Sequence, residues 1–135
     1  MAAKRFRSVM LIDDNEIDNL INQKMIEAAN VADNIYTHTG AKSAIEFLRN
    51  MEKSQLADQV LPDIIFLDID MPLMDGFQFL DEFEKLGNPA KRKCVIVMLT
   101  SSINPQDFSR SKRYPNVKLY LNKPLSHDSI VNLDV

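Results

Sequence analysis

The chain has 135 residues, 45% hydrophobic and 26% charged, which predicts one domain with its own core and excludes a disordered segment. A net charge of −3 and a pI near 5.3 exclude a nucleic-acid binder that works through bulk positive charge. The single cysteine, Cys94, excludes an intramolecular disulfide and a cysteine zinc site; with no membrane-spanning or complete signal-peptide run, a reducing, cytoplasmic setting is expected.

The apolar pattern alternates between two periods along the chain. Ser8 to Asp13 (SVMLID) is a nearly continuous apolar run, as expected of a strand buried on both faces. Ile17, Leu20, Ile21, Met25 and Ala28 then recur at helical spacing, and either Asp14 or Asn15 can cap that helix. NIYTH (34–38) is a weaker second strand. Thr39 and Gly40 lead into a helix with the stripe Ala41, Ala44, Ile45 and Leu48, and residues 52–61 read as irregular. IIFLD (64–68) is the most strand-like run. After the turn MPLMDG, where Asp75 reads as a turn or cap residue and Gly76 as a source of backbone freedom, Phe79, Leu80, Phe83 and Leu86 supply a helical face that stops at Gly87. CVIVMLT (94–100) is a fourth strand. Asn104 and Pro105 read as a cap and first-turn proline of a helix poor in apolar residues, Val117 to Asn122 as a fifth strand, and Ser126 as the start of a short last helix. Strict alternation of five strands and five helices requires a parallel sheet covered on both faces, with right-handed crossovers. The basic clusters Lys4, Arg5, Arg7 and Lys91, Arg92, Lys93 read as solvated ends of that sheet.

In such a sheet, functional groups gather outside the carboxyl ends of the strands. There the pattern places Asp13 and Asp14, Asp68, Thr100 and Ser101, and Lys123 with Pro124. Carboxylates this close repel one another unless a metal or Lys123 neutralises them. An all-oxygen ligand set suits a hard divalent cation, and magnesium in such a site leaves room for a phosphoryl group. Asp68 beside it could attack phosphorus and form an acyl phosphate, with Lys123 and Thr100 stabilising charge on the transferred oxygens.

Four marks, the DD pair at 13 and 14, FLDIDMPLMDG from 66 to 76, LTS from 99 to 101 and NKP at 122 to 124, make the chain resemble the CheY-like receiver domain of two-component response regulators over nearly its whole length. The resemblance implies a flavodoxin-like (βα)5 fold, with strand order 2-1-3-4-5 and helices on both faces, forming one domain over 1–135. It implies Asp68 as phosphoacceptor, taking a phosphoryl group from a histidine kinase or phosphotransfer protein with Mg2+. Asp13 and Asp68 would be metal ligands, Asp14 would act through water, and Asp70 would lend its backbone carbonyl. Lys123 would pair with Asp68 at rest and with the phosphoryl group afterwards. Thr100 would swing to a phosphoryl oxygen, Tyr120 would rotate inward behind it, and Pro124 would follow Lys123 through a cis peptide. The output face would comprise the fourth helix, which carries Arg110, Lys112 and Arg113, the fifth strand and the fifth helix, read by an attached output domain or a partner protein.

The role so implied is a signalling switch that catalyses its own phosphorylation and dephosphorylation; direct contact with nucleic acid or membrane is not expected. Asp70 with Ser102 is expected to tune water access to the acyl phosphate. The shortness of the segment from Ser126 to Val135 indicates either a chain cut before an output domain or a naturally abbreviated helix. His38 and His127 have no matching partners and read as surface residues. An alternative is a metal-dependent phosphatase or phosphotransferase with an aspartyl nucleophile, in which Asp70 would be general acid and base; the acidic pair on the first strand and the missing lid speak against it. A flavin or nucleotide module is disfavoured because DDNE would repel a phosphate at that helix end without metal.

Overall fold

The computed structural model describes residues 4–101, 103–133 and 135. β1 (Phe6–Ile12), β3 (Ile64–Asp68) and β4 (Val95–Thr100) are the most continuously apolar runs and occupy the centre of the sheet, where both faces are covered. β2 (Ala32–His38) and β5 (Val117–Asn122) are less buried and form its edges. All pairs are parallel in the order β2-β1-β3-β4-β5, so the expected doubly wound fold is found.

The pleat sorts the strand residues into two cores. Met10, Ile12, Ile65, Leu67, Ile96 and Met98 face one side, where α2 (Ala41–Glu52) and α4 (Gly76–Glu84) close over them with Leu48, Phe79 and Phe83. Val9, Leu11, Ile64, Phe66, Val97 and Leu99 face the other, covered by Ile26 of α1 (Glu16–Ala29) and Ile130 of α6 (His127–Val131). Burying a side chain such as Leu48 contributes about 2 kcal/mol. Cys94, just before β4, is buried, and burial followed by the nearby Asp63 charge pushes its thiol up to about 12.

Three local expectations need correcting. In α1 Ile17, Leu20 and Ile21 of the expected stripe are exposed, at 68%, 53% and 43%, as is Ala28, while Met25 packs partly buried against the core; the fully buried residues are Asn19, Asn22 and Ile26. The two asparagines turn inward because main-chain groups await them: Asn19 Nδ2 donates to the carbonyls of Asp13 (2.9 Å) and His38 (3.2 Å), and Asn22 Oδ1 accepts from the Leu125 amide at 3.0 Å. Residues 52–61 are not wholly irregular, since α3 (Ala57–Val60) lies there, and a 3-10 turn over Pro89–Lys93 precedes β4. Gly76 does not use left-handed backbone; a Cβ there would lie 2.8 Å from the Asp68 carbonyl oxygen and 2.9 Å from Ile69 Cα, so the glycine permits close approach to the end of β3.

The predicted caps are present. Asn15, not Asp14, caps α1 by accepting from the amides of Ile17 and Asp18; Asp75 forms a capping box with Gln78; Asn104 caps α5 (Pro105–Ser111) with Pro105 in its first turn. Ser111 is the one buried residue of α5, which is the weakly anchored helix the sparse apolar pattern foresaw. The five-residue α6 opens on a Ser126–Ser129 capping box, and Arg5 donates to the Leu133 carbonyl beyond it at 2.5 Å. Among the described residues no helix is long and apolar enough to cross a membrane.

Candidate functional site

β1 and β3 are neighbours in register, so their carboxyl ends bring Asp13 and Asp68 together. Asp13 and Asp68 are almost fully buried and Asp14 is exposed; one carboxylate oxygen from each of the three lies within 4.8 Å of the others. Asp13 is fixed by accepting the Asn15 amide on Oδ1 at 2.9 Å, while its own amide donates to the His38 carbonyl. Asp68 Oδ1 accepts the Asp70 amide at 3.4 Å. Burial, then the charge of Asp13, pushes the Asp68 carboxyl up to about 7 against the opposing pull of Lys123 and the Asp70 amide. An oxygen-only cluster with this excess of negative charge fits a hard divalent cation.

Lys123 follows β5, and its amide donates to the Thr100 carbonyl at 2.7 Å, which ties the strand ends together. Its ammonium lies 3.5 Å from Asp68 Oδ1, so the expected pair forms, but its shorter bonds go elsewhere: 2.9 Å to Asp13 Oδ2 and 3.1 Å to Asp18 Oδ2. Burial lowers the Lys123 pKa, yet the hydrogen bonds to Asp13 and Asp18 and the charges of Asp68 and Asp13 outweigh it, and the net direction is upward. Asp18 is the pocket residue that the sequence reading missed. Its signal was its place in the first turn of a helix that starts at a strand end, four residues beyond Asp14, where an acidic side chain faces the same pocket.

Thr100 is buried at the end of β4, and the exposed Ser101 lines an open groove of about 280 Å3 with Asp18, Ile21, Asn22, Lys123 and Pro124. Tyr120 is already turned inward, 9% exposed, with its ring edge-on to Phe108 at 5.6 Å. Its hydroxyl is buried and makes no hydrogen bond of ordinary geometry among the described residues, although the Asn104 backbone and the Thr100 side chain act on it. The Lys123–Pro124 peptide is cis, as expected. Asp70 is exposed at the pocket rim, and Ser102 lies outside the described residues. His127 is a surface residue, whereas His38 is half-buried against Phe47, with ring centroids 5.1 Å apart, and burial lowers its pKa.

An open parallel sheet with an acidic, lysine-balanced pocket outside its strand ends is the architecture of a receiver module. The family model for the response regulator receiver domain matches residues 9–133, and the chain belongs to that family, the signalling switches of two-component systems. It is similar to a two-component response regulator of Cytophaga hutchinsonii, 31% identical, with 96% of this chain and 95% of that one covered at a TM-score of 0.86. It is also 28% identical to a probable methanogenesis regulatory protein, FilR2, of Methanothrix harundinacea, over 90% of this chain and 75% of the relative. The phosphorylated cyanobacterial phytochrome response regulator RcpA shares 26% identity, with 95% and 86% covered and a TM-score of 0.71. The phosphatase alternative is not favoured by these relatives.

Proposed function

We propose that Asp68 accepts a phosphoryl group from a phosphohistidine of a histidine kinase or phosphotransfer protein. The observation that carries this reading is a buried carboxylate at the end of the central β3, set among further carboxylates and one ammonium, in a chain of the receiver family. An Asp68 oxygen attacks phosphorus as the phosphorus–nitrogen bond breaks, and the imidazole keeps the electron pair and takes up a proton. Lys123 balances the incoming charge, and Thr100 donates to a phosphoryl oxygen. Asp13 and Asp68, with the Asp70 carbonyl and with Asp14 acting through water, would hold Mg2+, which would supply charge neutralisation on the transferred oxygens. Water later attacks the same phosphorus as its bond to the Asp68 oxygen breaks, releasing inorganic phosphate and the free carboxylate, so the switch resets itself.

Residues 1–135 act as one receiver domain in the cytoplasm. Its output leaves through α5, β5 and α6 to an attached domain or a partner protein, without direct contact to nucleic acid or membrane. The weak anchoring of α5 and the edge contact of Phe108 with Tyr120 support a face that a few kcal/mol can shift. The test is intact mass after incubation with acetyl phosphate, with and without Mg2+. A Mg2+-dependent gain of one phosphoryl group, absent from Asp68→Asn, is the expected result. A gain that persists in Asp68→Asn would move the acceptor elsewhere, and turnover of a generic phosphate ester would revive the phosphatase alternative.

A further inference from the structure

One ammonium in this pocket meets three carboxylates, and they are not equivalent. Asp13 and Asp68 belong to the oxygen cluster; Asp18 does not. Asp13 and Asp68 are nearly sealed, with side chains 3% and 4% exposed, while Asp18 sits at the rim, 38% exposed, on the side of the groove. Its backbone is fixed, because the Asn15 cap accepts the Asp18 amide at 3.0 Å. Asp18 Oδ2 is nevertheless closer to the Lys123 ammonium, at 3.1 Å, than Asp68 Oδ1 is, at 3.5 Å.

A cation that takes oxygens of Asp13 and Asp68 removes lone pairs from Lys123 and repels it. A largely buried ammonium without a carboxylate partner is costly, so binding would be opposed unless the lysine had a second anchor. We infer that Asp18 is that anchor, a positioning residue that holds Lys123 aside from Asp13 and Asp68. It thereby eases divalent-cation binding and restrains the lysine's reach toward a phosphoryl group. The inference rests on the phosphoacceptor reading of the pocket. The two effects have opposite signs, because the same tether that clears the cation site competes with the phosphoryl oxygens for the ammonium.

The experiment uses the whole chain without a phosphodonor. Calorimetry gives the Mg2+ affinity, and 19F NMR at saturating Mg2+ gives the affinity for beryllofluoride, a stand-in for the phosphoryl group. Asp18→Asn is expected to weaken Mg2+ binding about fivefold and tighten beryllofluoride binding about threefold, the size typical of coupled charges in contact. Asp18→Glu restores both. In a Lys123→Met background the effect of Asp18→Asn shrinks to less than about twofold on each, since only its screened field remains.

Weakening of both ligands by Asp18→Asn would indicate a merely structural role and overturn the inference, as would an undiminished effect without Lys123. Should Lys123→Met fail to fold, Lys123→Gln serves as the uncharged background for the same comparison. A parent chain that binds neither ligand overturns the phosphoacceptor reading together with the inference; a parent that binds both while Asp18→Asn changes nothing overturns the inference alone.

Discussion

α1 and α2 are neighbours in sequence and similar in length, yet they are held to the sheet by different forces. In α2 the stripe Ala41, Ala44, Ile45 and Leu48 is buried, and the helix is fastened by apolar contact. In α1 Ile17, Leu20 and Ile21 face water, apolar contact is confined to Ile26 with the partly buried Met25 and Ala29, and two buried asparagines bond the ends of β1 and β2 and the segment after Pro124. Apolar contact fastens a helix wherever the core lies, but hydrogen bonds to chosen main-chain groups fasten it in one place. α1 is therefore set in register with the pocket, and it presents Asp18 to Lys123.

Truncation should separate the two modes. Leu48→Ala in α2, at a fully buried site, is expected to cost about 4 kcal/mol in urea denaturation; a loss under about 1 kcal/mol would mean that α2 is not the apolar anchor. At the polar end, Asp68 binds its proton more tightly in the folded chain than in the unfolded one. Below about pH 4 both forms are protonated and no penalty exists. Between about pH 4 and 7 the unfolded chain ionises first, so metal-free stability falls as pH rises and levels off above 7, by roughly 2–4 kcal/mol in all. Asp68→Asn should flatten that fall, and a variant with the parent's slope would remove Asp68 as its source.

Asn22→Ala strands the buried Leu125 amide and is expected to cost about 2 kcal/mol, with faster amide exchange at Leu125. A neutral result would mean that packing, not hydrogen bonding, holds α1. The smallest effect belongs to Leu20→Ala: the same leucine truncation as in α2, but on an exposed face, should stay within about 0.5 kcal/mol.

Much of this was legible before the structure. The apolar runs of β1, β3 and β4 announce central strands, and the charged or hydroxyl residue that ends each run marks the pocket; Asp13, Asp68 and Thr100 are found together there, with Lys123 closing it. What hydropathy could not show is α1. Ile17, Leu20 and Ile21 have the spacing of a core stripe, and nothing in that pattern says that Asn19 and Asn22 have carbonyl and amide partners waiting on the other side. Asp18 was missed for the same reason, since its role depends on which way α1 is rolled. α3 is a single turn, too short for any periodicity to register. Gly76 was assigned the right importance for the wrong cause, because close approach to the Asp68–Ile69 backbone is a tertiary fact.

Cys94 gives the molecule a built-in clock. Its thiol is sealed before β4 and held protonated by burial, so at neutral pH a disulfide reagent finds almost no thiolate in the closed protein. The labelling rate therefore counts the excursions that unseat the entry to the central sheet. A second cysteine placed on the exposed face of α5 would react at once and could carry a dye, leaving the native thiol to keep time inside the same molecule.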